Sequence, residues 1–238
     1  MLQKKLLTNL RFQPILDPFT MRLFAIGDIH GCADALRRLD QELAFGPADT
    51  VVTVGDYVNR GPDSRAVIDH LLELRSRCRL VTLRGNHEVM MLRARDERSF
   101  FSKWLTYGGV ETLASYGTVT LDDIPAAHWD FLESTVSYHE EAQDFFVHAT
   151  VLPDVPLAEQ PEKTLFWAHF GTPQPHVSGR RMICGHTAQK SGSPLNCGHA
   201  VCIDTHAYGG GWLTCLDVGT NAFWQASQQG DLRQDTLR

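Results

Sequence analysis

Residues 22–31, RLFAIGDIHG, pass from a short apolar run straight into a Gly-Asp turn and then a histidine. Arg22–Gly27 has the length and unbroken hydrophobicity of a buried strand. Ala33–Leu43 follows with Leu36, Leu39 and Leu43 at helical spacing. The pattern recurs twice. Thr50–Gly55 (TVVTVG) is a second buried strand ending in Gly55-Asp56, and Ser64–Leu74 is helical through Ala66, Val67, Leu71 and Leu74. Leu80–Leu83 is a third strand, ending in Gly85-Asn86-His87. Strand–helix alternation of this kind predicts a βαβ core with right-handed crossovers.

Further along, residues 95–135 read as helices and loops, with Trp104, Leu105, Val110, Leu113, Trp129, Phe131 and Leu132 supplying apolar faces. The second half changes character. Val136–Glu140, Asp144–His148, Arg181–Gly185, Ala200–Asp204, Trp212–Asp217 and Ala222–Gln225 are short strand signals separated by turns, a spacing that favours antiparallel or mixed pairing. The expectation is one α/β domain over residues 21–238 with a mixed sheet or two packed sheets. Residues 1–20 read as an extension without a catalytic role.

Composition narrows the function. Net charge is −6 with both signs interspersed, so there is no basic stripe for duplex nucleic acid and no polybasic run for an anionic membrane. No apolar run is long enough to cross a bilayer, and the N-terminal stretch is broken by Asn9, Arg11, Gln13 and Pro14, which makes a poor secretory signal. Six scattered cysteines without a CxxC pair read as reduced thiols in a cytoplasmic protein.

The chemistry lies at the strand ends. In open α/β sheets, sites form outside the carboxyl ends of strands. The turns Gly27–Gly31, Gly55–Gly61 and Gly85–Glu88 should therefore gather on one edge, although turn formers such as Asn and Gly are common singly. His148 ends the apolar run DFFVH, and His186 follows RMICG. Asp28, His30, Asp56, Asn86, His148 and His186 make a set of two carboxylates, one amide oxygen and three imidazoles. That set suits manganese first, with iron or zinc also compatible. One carboxylate can bridge two such ions, and a hydroxide between them leaves the centre about one positive charge with which to attract a phosphate.

The order GDIHG, GDYVNRG, GNHE, a histidine after an apolar strand, and GHT resembles the phosphoprotein phosphatases, within the calcineurin-like metallophosphoesterases. The likeness covers roughly residues 21–226. Cys202–Val218 (CIDTHAYGGGWLTCLDV) looks like bacterial serine/threonine protein phosphatases of the group. The resemblance implies two packed mixed sheets flanked by helices and a dinuclear metal site. Asp28, His30 and Asp56 would hold one ion, and Asp56, Asn86, His148 and His186 the other. A metal-bridging hydroxide would attack in line, with His87 as general acid and with Arg60 and Asn86 on the phosphate. The residues themselves agree: Arg60 offers a planar fork for phosphate oxygens, and His87 adjoins Asn86 at an expected helix start. Glu88 is expected to stabilise that helix N-terminus rather than to act in chemistry.

Two departures stand out. The family usually carries Asp at position 59, where it orients the catalytic histidine. Asn59 is expected to accept from His87 through its amide oxygen, without the charge. His169 follows Trp167-Ala168 where many relatives have a second phosphate-binding arginine, and Arg180 or Arg181 is the candidate replacement. Tyr208, in a glycine-rich loop after a strand, is a candidate pocket residue. His70, His128, His139, His176, His199 and His206 read as surface or structural.

Three functions are compatible with this. The first is serine/threonine protein phosphatase activity on phosphorylated proteins or small phosphoesters, pointed to by Gly-Asn-His-Glu. The second is symmetrical dinucleoside tetraphosphate hydrolysis, whose enzymes also lack the Asp at the position of Asn59. The third is a metal-binding module with impaired turnover, favoured only by Asn59. The sequence is silent on the oligomeric state.

Overall fold

Leu23–Ile26 forms strand β1, and its apolar run is explained by burial on both faces. Phe24 and Ile26 point into a core shared with helices, while Ala25 points towards a second sheet. The structure is a computed structural model that describes residues 21–238; the reading of residues 1–20 falls outside them. After β1 come α1 (Ala33–Leu43), β2 (Thr50–Thr53), α2 (Ser64–Leu74), β3 (Arg79–Thr82) and α3 (Asn86–Asp96), close to the limits expected from the sequence. α2 starts where the Asp63 carboxylate accepts the Ala66 N–H at 2.9 Å, the usual N-cap device.

Three helices cover the middle: α4 (Arg98–Trp104), α5 (Val110–Tyr116) and α6 (Ala126–Glu133). Between α4 and α5 the chain kinks within Leu105–Gly109, where Tyr107 and Gly108 leave helical geometry. The later elements are β4 (Tyr138–Glu140), β5 (Asp144–Val147), α7 (Glu162–Trp167), β6 (Arg181–Cys184), β7 (Leu195–Asn196), β8 (Ala200–Cys202), β9 (Asp204–Thr205), β10 (Trp212–Asp217), β11 (Ala222–Ala226) and β12 (Leu232–Thr236).

Two mixed sheets result. One runs β12-β11-β10-β1-β2-β3, with β9 added to β10; the other runs β4-β5-β6-β8-β7. β1, β2 and β3 are parallel, and β1 meets β10 antiparallel. Between the sheets lie Ala25, Val52, Val54, Phe146, Ile183, Val201, Ile203 and Leu216. The outer face of the first sheet packs on Leu36, Leu39, Ile68, Leu71, Trp104 and Phe131, and that of the second on Leu165 and Phe166 of α7. Each layer is thus an apolar face buried against another, the general solution for such elements.

The expected strand Ala200–Asp204 divides. Ala200–Cys202 pairs with β6 in the second sheet, and Asp204–Thr205 pairs with β10 in the first. Ile203 carries the chain across, its N–H still bonded to the Cys184 carbonyl at 2.8 Å. Among the described residues no helix is long and apolar enough to cross a membrane.

Candidate metal centre

The carboxyl ends of β1, β2, β3, β5 and β6 deliver their turns to one place. Asp56 is its hub. One carboxylate oxygen lies 3.3 Å from His30 Nε2, and the other lies 3.5 Å from His148 Nε2 and accepts the His87 N–H at 3.0 Å. Burial alone would raise the pKa of this carboxyl. The imidazoles of His148, His87 and His30 overcome it and hold the group well below the usual carboxylate range.

Three imidazoles have their tautomers set by backbone carbonyls, which can only accept. His30 Nδ1 donates to the Val58 carbonyl at 3.0 Å, His148 Nδ1 to that of Val54 at 2.9 Å, and His186 Nε2 to that of Trp167 at 3.3 Å. Each opposite ring nitrogen therefore turns a lone pair inward. Those of His148 and His186 lie 3.0 and 3.1 Å from Asn86 Oδ1, another acceptor. Acceptors this close with no hydrogen between them call for a positive centre, and the fixing of the far nitrogen is the usual support of a metal-ligating histidine. Burial, with the His148 imidazole close by, pushes the His186 pKa down to about 4, so its ring keeps the lone pair.

Among the described residues two triads come close enough to hold a cation: His30, Asp56 and His87, and Asp56, His148 and His186. Asp28 stands outside both. Its carboxylate is buried and accepts the His186 N–H at 2.9 Å, and burial together with the charges of Asp204 and Asp56 raises its pKa well above the ordinary value. Asp204 was not anticipated. It is itself buried on the first residue of β9, and the only sign of it in the sequence was its place at the end of an expected strand.

Strain is concentrated here. His30, Asp56, Asn59, Arg60 and His186 all have left-handed backbone, which costs a non-glycine residue about 1–3 kcal/mol and persists only where surroundings over-determine it. Glu88 supplies much of that determination. Its buried carboxylate accepts the N–H groups of Asp56, Tyr57 and Gly85, each at 2.8 Å, so it caps α3 as expected and also clamps the turn bearing Asp56. Burial and the Asp56 charge raise its pKa to about 7. Gly108, at φ +98°, packs on the Arg60 backbone so closely that a Cβ would overlap Arg60 N.

His87 is buried, with Nε2 4.0 Å from Asp56 and its ring edge-on to His30 at 4.7 Å. Its partner is Asn59, but the amide is turned opposite to expectation. The Thr112 hydroxyl donates to Asn59 Oδ1 at 2.9 Å, leaving Nδ2 to face His87 Nδ1 at 2.8 Å. Thr112 in turn accepts the Asn59 N–H at 2.9 Å. An amide N–H cannot bond a protonated Nδ1, so the neutral His87 ring carries its proton on Nε2, towards the site. Burial, the largest influence, pushes the His87 pKa well down.

Arg60 Nη1 donates to the Tyr208 hydroxyl at 3.1 Å and lies 3.4 Å from His30 Nε2, and its guanidinium sits 4.8 Å over the Tyr208 ring. Tyr208 thus belongs to the site region, and His206, read as structural, packs edge-on against it at 4.7 Å. The His169 ring lies 5.6 Å from that of His186. Neither Arg180 nor Arg181 replaces the missing arginine. Arg180 pairs with Glu140, and Arg181 with Asp144 at 2.6 Å, at the amino end of β6 away from the site.

Residues 21–190 match the calcineurin-like phosphoesterase family. Over 136 residues the chain is 36% identical to the symmetrical bis(5'-nucleosyl)-tetraphosphatase of Dechloromonas aromatica (strain RCB), covering 56% of this chain and 45% of that one. It is 41% identical over 88 residues to serine/threonine-protein phosphatase 1 of Salmonella typhimurium, covering 37% of this chain and 38% of that one. The chain therefore spans less than half the length of these curated relatives. In fold it is similar to the cold-active protein-tyrosine phosphatase of a psychrophilic Shewanella sp., with a TM-score of 0.67 at 15% identity over 91% of this chain and 80% of that one.

Proposed function

The chain belongs to the calcineurin-like phosphoesterase family of metal-dependent hydrolases, and from that premise we propose that it cleaves a phosphoanhydride in a dinucleoside polyphosphate, as the tetraphosphatases it resembles do by name. This sets the second sequence reading above the first. The observation that carries it is the amide of Asn59 turned by Thr112 towards His87. A neutral imidazole with its proton on Nε2 is a hydrogen-bond donor but a weak acid. That suffices for a nucleoside diphosphate, which leaves as a stable anion. It gives little help to a serine alkoxide, which needs a proton in the transition state. The longer alignment to a tetraphosphatase supports the same choice.

Asp28, His30 and Asp56 would hold one ion, and Asp56, Asn86, His148 and His186 the second, with Asp56 between them. When bound, a pair of divalent ions supplies positive charge for phosphate oxygens and acidifies water towards neutral pH. The chain's own part is to orient the phosphate with the Arg60 fork and the Asn86 amide and to donate from His87 Nε2 to the departing oxygen. The module without turnover loses its one argument, since Asn59 still holds His87. The six free cysteines, five of them buried, support a place in the reducing cytoplasm.

Manganese-loaded protein is expected to show a higher kcat/KM on diadenosine tetraphosphate than on a phosphoserine peptide, giving two equal nucleoside diphosphates. Preference for the peptide would reverse the assignment. Chelated protein should lose activity and regain it better with manganese than with magnesium, because three imidazoles suit a borderline ion. Equal or greater recovery with magnesium would contradict the ligand set.

A further inference from the structure

A small cavity opens beside the metal site. Its volume is about 170 Å³, and its walls include Tyr107 and Trp167, two aromatic residues exposed by 42% and 41%. Both walls are tied to the site. The Trp167 carbonyl accepts from His186, and Tyr107 precedes Gly108, whose carbonyl accepts the Arg60 N–H at 3.2 Å. Val89, one turn along α3 from Asn86, also lines the cavity. Arg93 and Lys103 also line the cavity, both resting against the Phe100 ring, at 4.4 and 5.7 Å from its centre.

Here two exposed aromatic residues line one cavity with two cations. Flat apolar faces next to positive charge, adjoining a phosphate-cleaving centre, fit a ring system attached to phosphates. The volume decides how much of the substrate enters. It is below the roughly 300 Å³ at which pockets for whole drug-sized ligands begin, so it admits one ring system and not a nucleotide.

We propose that this cavity is a nucleobase subsite, in which Trp167 and Tyr107 stack on one base of a dinucleoside polyphosphate while Arg93 and Lys103 hold the phosphates leading from the cleavage site. The assignment rests on the dinucleoside reading given above. It explains why the turn between α4 and α5 abandons helical geometry, since that departure brings Tyr107 to the cavity and Gly108 to Arg60.

The test compares Trp167→Ala, Trp167→Phe and Tyr107→Ala with the unaltered protein on diadenosine tetraphosphate and on an aryl phosphate, and measures binding of ADP by calorimetry. Loss of one base–aromatic stack corresponds to about a 5- to 140-fold weakening. Each alanine variant should lower the ratio of kcat/KM for the dinucleotide to that for the aryl ester about tenfold, chiefly through KM, and weaken ADP to a similar degree. Trp167→Phe should recover most of the loss. Trp167 also bonds a metal ligand through its backbone, so Tyr107→Ala, which touches none, carries the test if Trp167→Ala harms both substrates. An unchanged ratio and unchanged ADP binding in Tyr107→Ala overturn the subsite while leaving the dinucleotide activity standing. Absence of dinucleotide hydrolysis by the unaltered protein overturns the functional reading instead. A KM rise confined to a phosphopeptide would make the cavity a side-chain pocket and equally overturn the proposal.

Discussion

Asp56→Asn should leave the protein with fewer than two tightly held ions per chain and lower turnover by more than about 100-fold. The two carboxylate oxygens face different histidines, one on the His30 side and one on the His148 side, each at 3.3–3.5 Å. Asparagine keeps the shape and one acceptor but points an N–H₂ group at whichever imidazole loses its oxygen. That imidazole has already spent its only N–H on a backbone carbonyl, so two inward lone pairs become one lone pair against a donor. A change merely adjacent to a metal ligand costs about 10- to 100-fold in metal affinity or activity, and a group shared by two ions should exceed that. Metal content after dialysis, read beside circular dichroism to show an intact fold, checks the expectation. Two ions retained at ordinary affinity with turnover lost would show that Asp56 does not bridge.

Asn59→Asp should turn the preference around. A carboxylate at position 59 accepts from His87 Nδ1–H, favours the charged imidazolium and makes Nε2 a true proton donor. General acid help is worth about 10²- to 10⁴-fold, and it counts most for poor leaving groups. Hydrolysis of a phosphoserine peptide should therefore gain about 100-fold relative to diadenosine tetraphosphate. Thr112→Val removes the hydroxyl that fixes Asn59 Oδ1, frees the amide to rotate, and should give a smaller change in the same direction. Nitrogen-15 spectra of the His87 ring provide a reading independent of turnover, with the proton on Nε2 alone in the unaltered protein and protons on both ring nitrogens in Asn59→Asp. A proton on Nδ1 in the unaltered protein, or an equal effect on both substrates, would sink the argument.

What the sequence disclosed was mainly what periodicity and strand ends encode. β1 and β2 are apolar because they are buried on both faces, β3 is the half-buried edge of the same sheet, and the Gly-Asp and Gly-Asn endings of the three mark where the chain must turn tightly and present polar groups. His148 and His186 could be read from the same rule. β12 escaped because Leu232–Thr236 is a polar, mostly exposed edge strand without alternation. Thr112 escaped because it is an ordinary residue of α5, and only packing across 53 residues of chain gives it a role. The orientation of the Asn59 amide followed from Thr112 and was misjudged for the same reason. Tyr107, at the kink between α4 and α5, and Trp167, at the end of α7, are far apart in sequence, and only the fold brings them to one cavity.

The pairing of β1 with β10 also has a bearing on how the protein is made. Phe24 is in register with Asp217 of a strand that lies about 190 residues later. At ribosomal speeds of about 5–20 residues per second, one edge of β1 waits about 10–40 s for its partner. An apolar strand edge left open that long is a template for pairing with another nascent chain. Yield of active protein should therefore respond to synthesis rate and to chaperone supply more steeply than its final stability would suggest, and every nascent chain must carry an incomplete metal centre until His186 emerges.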